Sequence, residues 1–66
     1  MDTYEKIKRV SKQKGVPFYV LEIRANLSSG SISKWKTVSP SAKAIKRVAV
    51  LLDVTADELI GDDYAD

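Results

Sequence analysis

Ile45, Val48, Ala49 and Leu52 stand at i, i+3, i+4 and i+7, while Lys43, Lys46 and Arg47 take positions off that row. Apolar side chains at this spacing line one face of an α-helix, and no strand can gather them on one side. Such a face needs an opposing apolar surface, and a chain of 66 residues has room for one small core to supply it. The stripe therefore commits the rest of the chain to short elements that close around one helix.

Residues that start and stop helices divide the chain accordingly. Helix 1 is expected over about residues 3–14, with Asp2 as its cap, Glu5 three residues on, and Ile7 and Val10 facing inward behind Tyr4. Gly15 ends it, and Val16-Pro17 forms an extended link because a residue before proline avoids the helical region. Helix 2 is expected over 18–25, with Leu21 and Ala25 inward. Asn26 then occupies a turn position that needs a left-handed backbone, and Leu27 plugs the turn into the core. Helix 3 is expected over 29–37, capped by Ser28, with Ile32 and Trp35 as its buried stripe. Helix 4 is expected over 40–52, with Ser39 as cap and Pro40 at the first helical position. Thr55-Ala56-Asp57-Glu58 is a capping box for helix 5, over 56–60 and ending at Gly61. No strand, repeat or linker is apparent. The expectation is an all-α, compact five-helix domain over residues 1–61, followed by an acidic tail over 62–66.

Composition excludes more than it selects. The chain has no cysteine and no histidine, so disulfides, thiolate metal sites, the commonest metal ligand and the commonest general base are all missing. A catalytic cleft built from lysines and carboxylates is a poor fit to five short helices, and an enzyme is not expected. Three carboxylates near the end, Asp62, Asp63 and Asp66, lack anything that would fix a metal's geometry. No apolar run approaches the roughly 20 residues of a membrane span, and MDTYEKIKRV lacks the apolar segment of a signal peptide, so a cytoplasmic location is expected. Charge is unevenly spread. Residues 1–52 hold all eleven Lys and Arg against Asp2, Glu5 and Glu22, a net of +8, whereas residues 53–66 hold six acids and no cation, a net of −6. Between Leu27 and Leu52 there are five cations and no acid. A basic body of this kind suits a polyanion.

Phe18 to Thr37 has the plan of a helix-turn-helix, whose second helix lies in the major groove of DNA. Helices 1 and 5 carry a carboxylate in the first turn, but helix 3 opens on Ser29-Gly30-Ser31. Its amides and dipole are therefore expected to lack an internal anion, and small hydroxyl side chains there allow close approach to base edges or phosphates. Lys34, one turn on, can reach guanine O6 and N7. Lys36, Thr37, Ser39 and Lys43 follow helix 3 and can hold the phosphate backbone, with Ser28 before the helix and the Tyr19 hydroxyl at the start of helix 2 as further backbone contacts. Trp35 is assigned to the core rather than to base stacking, because it pairs with Ile32 at helical spacing.

With these residues in view, the segment from Ile7 to Gly61 resembles the XRE, or lambda-repressor-like, helix-turn-helix family of phage repressors, Cro proteins and bacterial regulators. The resemblance is carried by IKRVSKQKGV, LEIRANLSSGSISKW and PSAKAIKRVAVLLDVTADELIG, in order and at the expected spacing, over about 55 of the 66 residues. It implies a five-helix DNA-binding domain that often acts as a dimer on paired half-sites. By position, the family's base-reading residues fall on Ser29, Gly30, Ser31 and Lys34, and its backbone contacts on Phe18, Tyr19, Thr37, Ser39 and Lys43. The chain departs from the family pattern in four places. Phe18 stands where a Gln often bonds phosphate, Asn26 where Gly is usual, and Glu22 where a small residue is often found. Ser11 and Lys36 stand where many members pair Arg with Glu.

The expected function is that of a sequence-specific double-stranded DNA-binding transcriptional regulator of the phage- or prophage-repressor type, acting by operator occupancy through helix 3. The alternative is a protein-interaction module of the same fold, antitoxin-like or antirepressor-like, motivated by the short side chains of Ser29, Gly30 and Ser31 and by the acidic tail. No cofactor, metal or small-molecule ligand is called for. The expected partners are an operator duplex and a second copy of the chain, at least on DNA, with Val54, Leu59, Ile60 and Tyr64 as candidate dimer contacts.

Overall fold

The computed structural model describes residues 3–60. The cap assigned to Asp2, the helix end assigned to Gly61, the dimer contact assigned to Tyr64 and the acidic tail lie outside the described residues. Five helices follow one another: α1 (Thr3–Lys14), α2 (Phe18–Arg24), α3 (Ser31–Lys34), α4 (Ala42–Leu52) and α5 (Ala56–Leu59). No strand occurs among the described residues, so the all-α, five-helix architecture is the one observed.

The α4 stripe is the centre of the molecule. Ile45, Val48, Ala49 and Leu52 are all buried, and α4 packs against α1, α2 and α5. α1 also packs on α5, and α3 finds its main support on α2. Tyr4, Ile7, Leu21, Ala25, Ile32 and Leu59 complete one continuous core, with Leu27, Trp35, Val54 and Ile60 half-buried at its edge. Each fully buried Ile, Leu or Val contributes about 1.5–3 kcal/mol relative to exposure. A Cα radius of gyration of 10.5 Å fits the roughly 11 Å of a compactly folded chain of this length.

Helix ends follow local chemistry. Gly15 stops α1 at φ 69°, and the Ser11 hydroxyl donates to the Val16 carbonyl, so a buried serine ties the link back onto the helix. Asn26 takes the left-handed conformation expected of it, at φ 59°. Thr55 caps α5, its hydroxyl accepting from Glu58 N–H at 3.4 Å, and α5 ends at Leu59 with Ile60 as its C-cap. Two cations cap helix ends from a distance. Arg47 donates to the Ala25 carbonyl at the end of α2 (3.3 Å), and Lys6 donates to the Ile60 carbonyl after α5 (2.8 Å).

Four of the five helices differ from expectation at a boundary, α5 stopping at Leu59 instead of Ile60. α2 ends at Arg24, with Ala25 as its C-cap. α4 begins at Ala42, because its cap is Ser41, whose hydroxyl accepts from Ala44 N–H at 3.1 Å. Ser39 is therefore not the cap and Pro40 is not the first helical residue; Pro40 is buried just upstream. Residues 29–37 also do not form one helix. Ser31 N–H donates to the Ser28 carbonyl at 3.0 Å, and Gly30 has φ 83° and ψ 1°. Those angles are the third position of a type II β-turn, which only glycine adopts freely. Ser28 thus opens a turn rather than capping α3 with its side chain. After Lys34 the chain tightens into i→i+3 bonds, Trp35 N–H to Ile32 and Thr37 N–H to Lys34, before it reaches Pro40. No helix among the described residues is long and apolar enough to cross a membrane.

Candidate nucleic-acid interface

α2, the Asn26 turn and α3 form a joint whose inner side is apolar. Leu21, Ala25 and Ile32 are buried, with Leu27 and Trp35 half-buried beside them. Seating Ile32 and Trp35 inward turns the rest of the segment outward. Ser28, Ser29, Lys34, Lys36, Thr37 and Ser39 are exposed, and Gly30 and Ser31 are half-buried at the rim. Lys43 is exposed in the first turn of α4, and Tyr19 is 65% exposed in the first turn of α2. All ten side chains or backbone positions assigned to DNA are therefore reachable from solvent.

One contact draws part of this set together. The Lys36 ammonium lies 5.4 Å from the centre of the Tyr4 ring, and Tyr4 meets Phe18 edge to face at 5.9 Å. The segment after α3 is thereby held beside the start of α2, where Tyr19 is the next residue. A cation over an aromatic face contributes about 0.5–1 kcal/mol at an exposed site. Phe18 is half-buried in this stack, so its role is to anchor α2 rather than to face a phosphate.

The expectation of an unopposed α3 amino end is overturned. Ile32 N–H donates to Glu22 Oε2 at 3.1 Å, and Glu22 is only 6% exposed. An internal carboxylate thus occupies the first turn of α3, delivered from α2. No buried side-chain polar atom among the described residues is left without a partner. The charge of the surface is correspondingly carried by side chains: Lys34, Lys36 and Lys43 supply three exposed cations, whereas Lys6 and Arg47 are engaged on helix ends. Sequence reasoning missed that Glu22 and Tyr4 shape this surface, through the Ile32 bond and the Lys36 contact. Phe18, Leu21, Glu22 and Ala25 stand at i, i+3, i+4 and i+7, so the stripe itself placed Glu22 inward.

The described residues hold no group of three or more Asp, Glu, His or Cys able to take a metal ion, and Asp62, Asp63 and Asp66 lie outside them. The candidate dimer contacts divide. Leu59 is fully buried and cannot serve, while Val54 and Ile60 keep partial exposure. Comparison with known families, curated proteins and solved structures returns no match to this chain.

Proposed function

We propose that this chain is a sequence-specific double-stranded DNA-binding transcriptional regulator of the XRE, or lambda-repressor-like, helix-turn-helix type, acting by occupying an operator. The observation that carries this reading is the joint of α2 and α3: its apolar face is seated, and its outer face offers Ser29, Lys34, Lys36, Thr37 and Ser39 with no acid among them. In this reading α3 enters the major groove, Ser29, Gly30, Ser31 and Lys34 face base edges, and Tyr19, Ser28, Lys36, Thr37, Ser39 and Lys43 hold the backbone. A recognition element of four helical residues reads few base pairs. Two copies on half-sites roughly 34 Å apart would supply the remaining specificity, with Val54 and Ile60 available for the contact.

Selection of bound duplexes from a random pool tests the proposal. A consensus of paired half-sites is the expected result, and recovery of no enriched sequence sinks it. Affinity for the selected duplex is also expected to fall with salt at a log–log slope of about −0.9 per phosphate engaged, near −2 per protomer if Lys36 and Lys43 both act.

The protein-interaction reading keeps one observation of its own. Ile23 on α2 and Val50 on α4 are 72% and 78% exposed, apolar side chains that a protein partner could cover. Retention of a stoichiometric protein partner with no enriched duplex would favour that alternative.

A further inference from the structure

α2 and α4 each carry a second row of side chains beside the one they bury. On α2, Val20, Ile23 and Arg24 stand at i, i+3 and i+4, and on α4 Arg47, Val50 and Leu51 repeat that spacing. Residues so spaced are neighbours on one side of a helix. α2 packs on α4, and an open groove runs between them in two parts of about 410 and 260 Å³ that share Arg24 and Leu51. The larger part takes in Arg47 and Val50, and the smaller reaches past Val20 to Val16 and Pro17. Val50 is 78% exposed, and Ile23 beside the groove is 72% exposed. Val16, Val20 and Leu51 are half-buried.

The chemistry of the groove selects its occupant. Arg47 donates to the Ala25 carbonyl at 3.3 Å, which fixes the guanidinium and leaves most of its N–H donors over. Arg24 is exposed, and neither arginine meets a carboxylate among the described residues. Two cations beside an aliphatic surface fit a segment that carries carboxylates next to aliphatic side chains. A second copy placed face to face would set arginines against arginines. None of the residues assigned to DNA borders the groove, and its aliphatic surface offers a phosphate nothing to bond. We propose that the α2–α4 groove docks an acidic amphipathic helix of a partner protein. Aliphatic side chains of that helix lie on Ile23, Val50 and Leu51, and its carboxylates meet Arg24 and Arg47. The matching i, i+3, i+4 rows of the two walls are what a helix laid in a groove reads. The docking site stands whether or not the chain binds DNA, and it leaves the α3 face free.

The test selects peptides from a displayed random pool on the full chain. Counter-selection on a double variant, Ile23→Ser with Val50→Ser, discards binders to any basic surface. The expected consensus places Leu or Ile at helical spacing with Asp or Glu beside them. A synthetic peptide of that consensus is expected to bind the parent and to lose roughly tenfold or more on the double variant, the effect of uncovering two aliphatic contacts. The double variant is expected to keep the parent's thermal midpoint and duplex binding, since both side chains are exposed and neither is assigned to DNA. Arg24→Glu is expected to weaken the peptide roughly tenfold and to recover when the peptide's acids are exchanged for Lys. No enriched peptide, a consensus without acids, or no recovery on charge exchange overturns the proposal. A synthetic peptide of residues 61–66 that binds as tightly as the selected one overturns it too, as does self-association lost in the double variant, because either gives the groove to this chain itself. Intact peptide binding by a parent that retains no duplex at low salt would remove the DNA-binding reading and leave the docking site standing.

Discussion

Asn26 and Glu22 mark the two extremes of how single residues act in this chain. Asn26 sits at φ 59°, a conformation that costs most L-residues about 1–2 kcal/mol and that Asn tolerates. Asn26→Val is therefore expected to lower stability by about 1–2 kcal/mol, and Asn26→Gly to leave it unchanged or raise it. Thermal unfolding checks this, since about 1 kcal/mol moves the midpoint of so small a domain by roughly 4–8 °C. The need for Asn26 was legible because it is steric and local: a helix had to end between Ala25 and Leu27. The Glu22 bond was not, because its partner lies ten residues away on another element. On the proposed DNA-binding face, Lys34→Ala is expected to relax discrimination between operators, whereas Lys43→Ala weakens all duplexes alike and flattens the salt slope by about 0.9. Binding measured on enriched and scrambled duplexes separates the two, and variants that both leave binding untouched would move the interface elsewhere.

At the level of elements, sequence periodicity revealed where helices lie better than where they begin. The α4 stripe was legible because four apolar residues at helical spacing can be buried together in only one secondary structure. Its start was not, since Ser39 and Ser41 flank Pro40 and either serine suits a cap by composition. The structure chooses Ser41, which bonds Ala44 N–H. Ser41→Ala is accordingly expected to cost about 1 kcal/mol, and Ser39→Ala less than about 0.5 kcal/mol. Chemical denaturation of the pair decides it; a larger loss at Ser39 would place the helix start where the proline suggested. The shortness of α3 has a related cause. Gly30 has a φ of 83° that makes it a turn residue ahead of the helix, and Gly30→Ala would strain the backbone although nothing lies within 4 Å of the added Cβ.

For the whole molecule, one core of buried aliphatic residues supports every element, so stability is concentrated. A domain of this size has a total of roughly 3–10 kcal/mol. Leu21→Ala, at a fully buried position, is expected to cost about 2–5 kcal/mol and leave a marginal fold. Loss of cooperative unfolding would report this, and a near-native midpoint would mean that Leu21 lies outside the core. The compact all-α, five-helix fold was legible from the short apolar pieces. The packing order was not, because which helices touch depends on contacts such as Lys6 to Ile60 that join the two ends of the described chain.

Trp35 is the chain's single tryptophan, and it sits half-buried in the turn that follows α3. Most helical residues lie in α1 and α4 and none of them in that turn. The protein therefore carries two independent optical gauges. Far-UV circular dichroism follows the scaffold, while indole emission follows the seating of α3 alone. A displaced α3 would redden the emission at undiminished ellipticity, so its docking can be followed in unlabelled protein.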